Sequence, residues 1–182
     1  AIARYANHLA AREGKLCIEM KLSQSLDVGA IGGIFHGTGG SSGDSIILKA
    51  KGNLKLEVCP EFEPGTTLEN SNASGQNMVL RTMRGESKQG RIRLVPRLAF
   101  EPEVETEYVF DAYCLNFSKH NPEESDQLVI RGIVQPELQK VIDVKGFDLN
   151  AIQLALWAVT DNVSPQDARD VFQASPGDIQ NA

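Results

Sequence analysis

The spacing of apolar residues changes twice along this chain of 182 residues. Over residues 2–13 apolar side chains recur at helical intervals, and Gly14 is typical of a residue that ends a helix. Between residues 15 and 22 apolar and charged side chains alternate instead. This alternation predicts a strand with one buried face.

Short segments of β-type sequence continue as far as residue 131, with polar turns between them. They cover residues 46–50, 54–59, 77–83, 91–95, 104–110 and 127–131. Their spacing favours an antiparallel sandwich or barrel over alternating β-α-β units. A glycine-rich stretch between residues 29 and 43 lacks the Gly-Lys-Ser/Thr ending of a phosphate-binding loop, so we expect a hairpin or loop there.

The apolar spacing becomes helical again after Gly132. Pro136 suits the first turn of a helix, because its missing N–H has no intrahelical partner at that position. A second helix is predicted to begin after Asp148 or Asn150, either of which can cap it, and to end near Thr160. A third is predicted between residues 164 and 172.

The predicted fold is therefore α+β. We expect an antiparallel β-sandwich or barrel, a short N-terminal helix and a C-terminal cap of about three helices. The predicted boundaries are an N-terminal helix over residues 1–14, a β-sandwich core over 15–131, a helical cap packed on the sheet over 132–175, and a tail or linker over 176–182.

Composition restricts the possible partners. The net charge of −6 argues against nucleic acid, whose phosphates favour basic surfaces. A run of arginine and lysine between residues 81 and 97 predicts a hairpin with a solvated basic face. No segment is apolar over the length of a membrane span, and no signal peptide opens the chain. We expect a mature product or a segment of a longer parent protein.

Three cysteines and three histidines are the residues to weigh for covalent or metal chemistry. Cys17 and Cys59 fall in strand-like segments, where they can pair with each other or serve as separate core residues. The histidines have no ligand spacing between them, so we predict neither a metal site nor a cofactor.

The most specific chemistry lies at Cys114 and Gln153. Cys114 closes a β-type run, at a strand end where a rigid element presents its side chain to a loop. Gln153 opens an apolar helical segment, where a buried carboxamide is costly without a partner. A cysteine thiol that attacks this carboxamide releases ammonia and leaves an internal thioester, with Tyr113 and Trp157 as apolar cover against water.

Two short motifs resemble the thioester domains of bacterial surface adhesins. These domains carry a cysteine after an aromatic or apolar residue, as in Tyr113-Cys114-Leu115, and later a glutamine that begins an apolar segment ending in tryptophan, as in residues 153–157. The resemblance implies that Cys114 and Gln153 form the bond and that Trp157 packs beside it. The insertion between the two motifs is shorter here, and Ile152 stands where the family commonly has threonine.

We therefore predict a surface adhesion or attachment module that acylates a target amine once, without turnover as an enzyme. The expected partner is a protein or carbohydrate on a surface, and the expected location is extracellular or at the cell surface.

Two other classes of function remain open. In a non-covalent binding or structural module, Cys114 is a small buried apolar residue and Gln153 bonds to the main chain. In a hydrolytic enzyme, Cys114 is the nucleophile and His120 its base.

Overall fold

A computed structural model describes residues 6–9, 16–40, 42–164 and 166–167, and these residues are mostly β. In chain order the strands are β1 (Ala6–Leu9), β2 (Leu16–Lys21), β3 (Ile31–Gly37), β4 (Ser42–Gly52), β5 (Glu57–Glu61), β6 (Thr66–Asn70), β7 (Met78–Lys88), β8 (Arg91–Arg93), β9 (Glu105–Cys114) and β10 (Gln127–Ile133). The helices are α1 (Leu22–Asp27), α2 (Pro136–Ile142) and α3 (Leu149–Thr160).

Six strands form a closed antiparallel barrel. Their order is β6-β10-β3-β4-β9-β7, and β6 also pairs with β7, which closes the ring. Strand β8 extends β7 through a two-residue turn at Gln89 and Gly90, both with positive φ, as the twist of a tight hairpin requires. A second sheet has the order β1-β2-β5, with β2 parallel to β5. The sequence predicted a sandwich or a barrel, and the order of the strands is that of a barrel.

The N-terminal helix predicted over residues 1–14 is wrong in its described part. Ala6–Leu9 is a strand that pairs antiparallel with β2, with His8 opposite Cys17. Local apolar spacing is a weak signal over so few residues, and pairing with β2 satisfies main-chain groups on both strands. Helix α1 was not predicted either, because six residues are too few for a helical period to appear.

The two C-terminal helices that the structure describes agree with the sequence. Helix α2 begins at Pro136, in its first turn. Helix α3 follows Asp148, whose carboxylate accepts a hydrogen bond of 2.9 Å from the Ala151 N–H, and it ends at Thr160. Of the third predicted helix only residues 164, 166 and 167 are described, and the last two are helical. The predicted tail over 176–182 lies outside the described residues.

The chain divides into two compact units. The first comprises residues 1–35, 47–63 and 83–109, and the second comprises 36–46, 64–82 and 110–182. In the first unit a disulfide joins Cys17 to Cys59 across the neighbouring strands β2 and β5, with their Cα atoms 5.9 Å apart. This pairing resolves the alternatives that the sequence left open for these two cysteines.

In the second unit, helices α2 and α3 pack against β7 and β9. The buried side chains of this cluster are Val79, Tyr113, Val134, Ile142, Ile152 and Leu156. The cluster positions the start of α3 beside the end of β9, where the candidate site lies. None of the helices in the described part of the chain has the length and apolarity that a membrane crossing requires.

Candidate functional site

Cys114 is the last residue of β9 and is 0% exposed. Of the strand's final five residues, Phe110–Cys114, only Asp111 is not fully buried. Residues on both faces of a strand are buried when each face is covered by other elements. The strand end therefore presents Cys114 inside the protein rather than to solvent.

Gln153 lies in the second turn of α3, and its side chain bonds to the main chain of Cys114 at two points. The Cys114 N–H donates to Gln153 Oε1, and Gln153 Nε2 donates to the Cys114 carbonyl oxygen, each at 2.8 Å. Both residues are 0% exposed. The structure thus brings together the two predicted bond-forming residues, and it shows how a glutamine is accommodated among apolar neighbours.

The Cys114 thiol is buried against a second sulfur. Its Sγ lies 3.4 Å from Sδ of Met78, a fully buried residue at the start of β7. Burial raises the pKa of the Cys114 thiol far above its ordinary value, so the thiol keeps its proton at neutral pH. Met78 is 36 residues away from Cys114 along the chain, and no local pattern in the sequence predicts this contact.

Tyr113 points to the opposite face of β9 from Cys114, since successive strand residues alternate. Its ring belongs to the apolar cluster beneath α3, and burial raises its pKa. Its hydroxyl accepts a hydrogen bond of 3.1 Å from Arg81 Nη1, while Arg81 Nη2 donates to the Val144 carbonyl at 3.0 Å. Arg81 is half-buried and connects β7 and β9 to the segment that follows α2, instead of lying on a solvated basic face as predicted.

Trp157 stands one turn after Gln153 and contacts the loop that follows Cys114. Its ring meets Phe117 edge to face, with centroids 5.1 Å apart. The Phe117 N–H also donates to Asp161 Oδ2 at the C-terminal end of α3, at 3.3 Å. Helix α3 is therefore attached to the end of β9 by Gln153 and to the following loop by Trp157.

A polar cluster lies around Asp126, a carboxylate that is 5% exposed. Burial alone would raise the pKa of Asp126. Hydrogen bonds from the Glu123 N–H, Asn70 and Asn72, together with the nearby His120, hold that pKa below its ordinary value. The cluster joins the segment after β6 to the segment before β10, which gives it a clear structural role.

His120 belongs to this cluster and not to the thiol site. Its Nε2 lies 3.2 Å from Ser74 Oγ, and its Nδ1 is 2.9 Å from the Asn121 carbonyl but 4.0 Å from Asp126 Oδ2. The contacts of the described residues therefore do not support His120 as the base for Cys114. Nor do they form a serine-hydrolase triad, since the Ser74 hydroxyl donates to Asn72 Oδ1 at 2.8 Å and Asp126 is beyond hydrogen-bond distance of the histidine.

In the described part of the chain, one group of residues of the types that bind metals has its possible ligand atoms close together. Cys17, Glu57 and Cys59 place their ligand atoms within 4.8 Å. The two sulfurs are joined in the disulfide, however, and a metal binds thiolate sulfur. This group is therefore a crosslink and not a metal centre.

An apolar groove of about 270 Å³ lies between α2 and α3. Its lining consists of Val141, Val144, Phe147, Ala151, Ile152 and Ala155, with Lys140. Ile152 is the neighbour of Gln153, so the groove and the thiol site share helix α3.

No family model, no curated protein and no solved structure matches this chain.

Proposed function

We propose that this chain is an attachment module in which Cys114 and Gln153 form an internal thioester that acylates a target amine. The observation that carries the proposal is the two-point hydrogen bond, which holds the Gln153 carboxamide against the residue that bears the thiol. A helix and a strand end fix the two partners, so a bimolecular encounter becomes an intramolecular one.

Formation of the bond needs no outside reagent. Cys114 Sγ attacks Cδ of Gln153, a carbon–sulfur bond forms, the carbon–nitrogen bond breaks, and the nitrogen leaves as ammonia with the thiol proton. In the structure the thiol lies against Met78 Sδ, and in the proposed step its proton passes to the departing nitrogen.

Attachment reverses the chemistry at the same carbon. A target amine attacks the thioester carbonyl, a carbon–nitrogen bond forms, and the proton of the amine passes to the sulfur as the carbon–sulfur bond breaks. The product is an amide crosslink and a free Cys114 thiol, so the module acts once. Burial of both residues excludes water, which slows hydrolysis of the stored thioester before a target arrives.

The Cys17–Cys59 disulfide supports a location outside the reducing cytosol, since structural disulfides persist in oxidising compartments. This agrees with a module of an exported or surface-associated bacterial protein, whose partner is a protein or carbohydrate on a surface.

A second function is a non-covalent binding module. Its specific support is the apolar groove between α2 and α3, which offers a site for an apolar ligand segment. In that case the two hydrogen bonds of Gln153 serve only to attach α3 to β9. The thiol then stays free, which gives a clear chemical difference from the thioester.

The intact mass of freshly purified protein separates these two functions. A thioester lowers the mass by about 17 Da, and methylamine then adds about 31 Da to that form. The disulfide accounts for a further loss of about 2 Da, which reduction removes. A mass without the deficit of about 17 Da, together with no methylamine uptake, would leave the non-covalent module.

Two variants test whether Cys114 is the cysteine that forms the thioester. Cys114→Ala is expected to lose both the mass deficit and the methylamine uptake, because its main chain still binds Gln153 but its sulfur is gone. The matched control, Cys17→Ser with Cys59→Ser, removes the other two cysteines and is expected to keep both signals. A deficit that survives Cys114→Ala would contradict the proposed pair.

A further inference from the structure

The hydrogen bonds of Gln153 use one particular hydrogen of its carboxamide. Both of its partner atoms, the N–H and the carbonyl oxygen, belong to Cys114. The hydrogen that Nε2 donates must therefore lie on the same side of the carbon–nitrogen bond as Oε1. The other hydrogen of the amide group points away from Cys114.

We propose that Cys114 contributes its main chain as well as its thiol to the reaction, and that this main chain makes attachment to an alkyl amine one-way. The inference rests on the proposed thioester. The Cys114 N–H stabilises the negative charge on Oε1 in the tetrahedral intermediate, and the Cys114 carbonyl accepts the N–H of the nitrogen that leaves or enters.

The geometry of the N–H fits an oxyanion donor. The Cys114 nitrogen is 2.8 Å from Oε1 of the unreacted carboxamide. This is the oxygen that gains charge when Sγ attacks, and a donor that stays about 2.7–3.1 Å from the oxyanion stabilises that charge. The donor is fixed at the end of a buried strand, so it needs no reorganisation as charge develops.

Ammonia and an alkyl amine give different products at this site. Ammonia regenerates the carboxamide of Gln153: a carbon–nitrogen bond forms, the carbon–sulfur bond breaks, and a proton returns to the sulfur. Both hydrogen bonds to Cys114 then form again. The product is the starting state, which can expel ammonia once more.

A primary alkyl amine instead leaves a secondary amide. In the favoured trans form its N–H lies on the side away from the oxygen, and its alkyl carbon occupies the side that faces the Cys114 carbonyl. The cis form, which would restore the N–H to that side, is about 60-fold less populated in simple secondary amides. The second hydrogen bond is therefore lost, and the amide is no longer held for the reverse attack.

The test compares two adducts that differ by one methyl group. Protein that shows the deficit of about 17 Da is treated with ¹⁵N-ammonia or with methylamine, the amine is removed by dialysis, and the mass is followed with time. The ammonia product should return to the thioester mass. The methylamine product should persist at about 14 Da above the carboxamide form, reverting at least about 60-fold more slowly.

Hydrogen exchange of the Cys114 N–H provides a second measurement on the same samples. That N–H should stay protected in both adducts, because its bond to Oε1 survives. The melting temperature should be lower for the methylamine adduct by about 2–10 °C, because the buried carbonyl loses its donor.

The outcomes distinguish this inference from the thioester itself. If the deficit appears but both adducts revert at the same rate and melt at the same temperature, the role of the Cys114 main chain is wrong while the thioester stands. If no deficit ever appears, both are wrong.

Discussion

Two buried cysteine sites in this chain illustrate two ways to link distant segments. Cys17 meets Cys59, 42 residues later, and the two thiols are joined as a disulfide between neighbouring strands. Cys114 meets Gln153, 39 residues later, and its nearest sulfur is the thioether of Met78. The two loops are almost equal in length, and all four residues are buried or nearly so.

The difference lies in the partner and not in the burial. A thiol opposite a thiol forms a bond that oxidation makes and reduction breaks. The Cys114 thiol instead contacts a thioether, and the carboxamide of Gln153 bonds to the main chain of Cys114. In the proposed function this carboxamide becomes an acyl bond to the sulfur, which an amine breaks. The two sites are therefore alike in burial and loop length, and they differ in the group held against the cysteine.

Removal of the Cys114 sulfur should have the largest effect. Cys114→Ala is expected to reduce methylamine uptake from about one per chain to none, because no acyl bond can be stored. The measurement is intact mass after methylamine treatment, with Cys17→Ser plus Cys59→Ser as the control. If uptake disappears in the control but persists in Cys114→Ala, the reactive bond involves Cys17 or Cys59 and not Cys114.

Removal of the disulfide should mainly affect stability. Cys17→Ser with Cys59→Ser opens a loop of this length, which should lower the free energy of unfolding by about 4 kcal/mol. Denaturant titration measures this loss, and methylamine uptake measured in parallel should remain. Loss of uptake together with stability would mean that the disulfide is required for the reactive site.

Local sequence signals predict the starts of helices α2 and α3, but not the pairings between strands. Asp148 caps α3 and Pro136 opens α2 as predicted, because caps and proline act within one helical turn. The closed barrel was only one of two alternatives, since closure depends on pairings between distant strands that no short pattern encodes. Strand β1 was mistaken for a helix for a different reason: its four residues are too few to separate helical from alternating apolar spacing, although its partner β2 is the next element along the chain.

The candidate site was predictable only in part. Gln153 is conspicuous because a carboxamide in an apolar helix needs a partner, and Cys114 is a strand-end cysteine. Met78 and Arg81 are 36 and 32 residues from the side chains they contact, and a methionine or arginine in a strand carries no signal of such a contact. The sequence therefore predicts the contact between Cys114 and Gln153 better than it predicts the residues around them.

Loss of the Gln153 carboxamide should destabilise the chain even when no acyl bond exists. In a Cys114→Ala background, Gln153→Leu leaves the buried N–H and carbonyl of residue 114 without partners. We expect the free energy of unfolding to fall by about 2–5 kcal/mol. Gln139→Leu on α2, whose side chain bonds to the exposed Asp143, is the control and should change it by less than about 1 kcal/mol. Equal effects would indicate that Gln153 makes no special contribution.

Arg81 should contribute less than Gln153. Arg81→Met removes the hydrogen bonds to the Tyr113 hydroxyl and the Val144 carbonyl, and we expect a loss of about 1–3 kcal/mol in the free energy of unfolding. Arg91→Met, at an exposed position of β8, should change it by less than about 0.5 kcal/mol. Thermal unfolding of both variants compares them directly, and equal melting temperatures would contradict the role assigned to Arg81.

The smallest expected effect concerns Asp126, which belongs to neither cysteine site and contributes to the pH dependence of stability in acid. The fold holds the pKa of Asp126 below its ordinary value, so the ionised carboxylate is favoured in the folded state. Its stabilisation is present above about pH 4 and is lost as pH falls through the folded pKa. Unfolding measured from pH 5 to 2 should depend less steeply on pH in Asp126→Asn than in the natural chain. Identical slopes would exclude Asp126 as a source of acid sensitivity.

The most direct test of the central claim is to locate the methylamine label by peptide mapping. Trypsin places Cys114 in residues 98–119 and Gln153 in residues 146–169. We predict N-methylglutamine at Gln153, about 14 Da heavier than glutamine, together with a Cys114 thiol that can be alkylated only after methylamine treatment. Label at another glutamine, or a Cys114 thiol that is free beforehand in unfolded protein, would contradict the internal thioester.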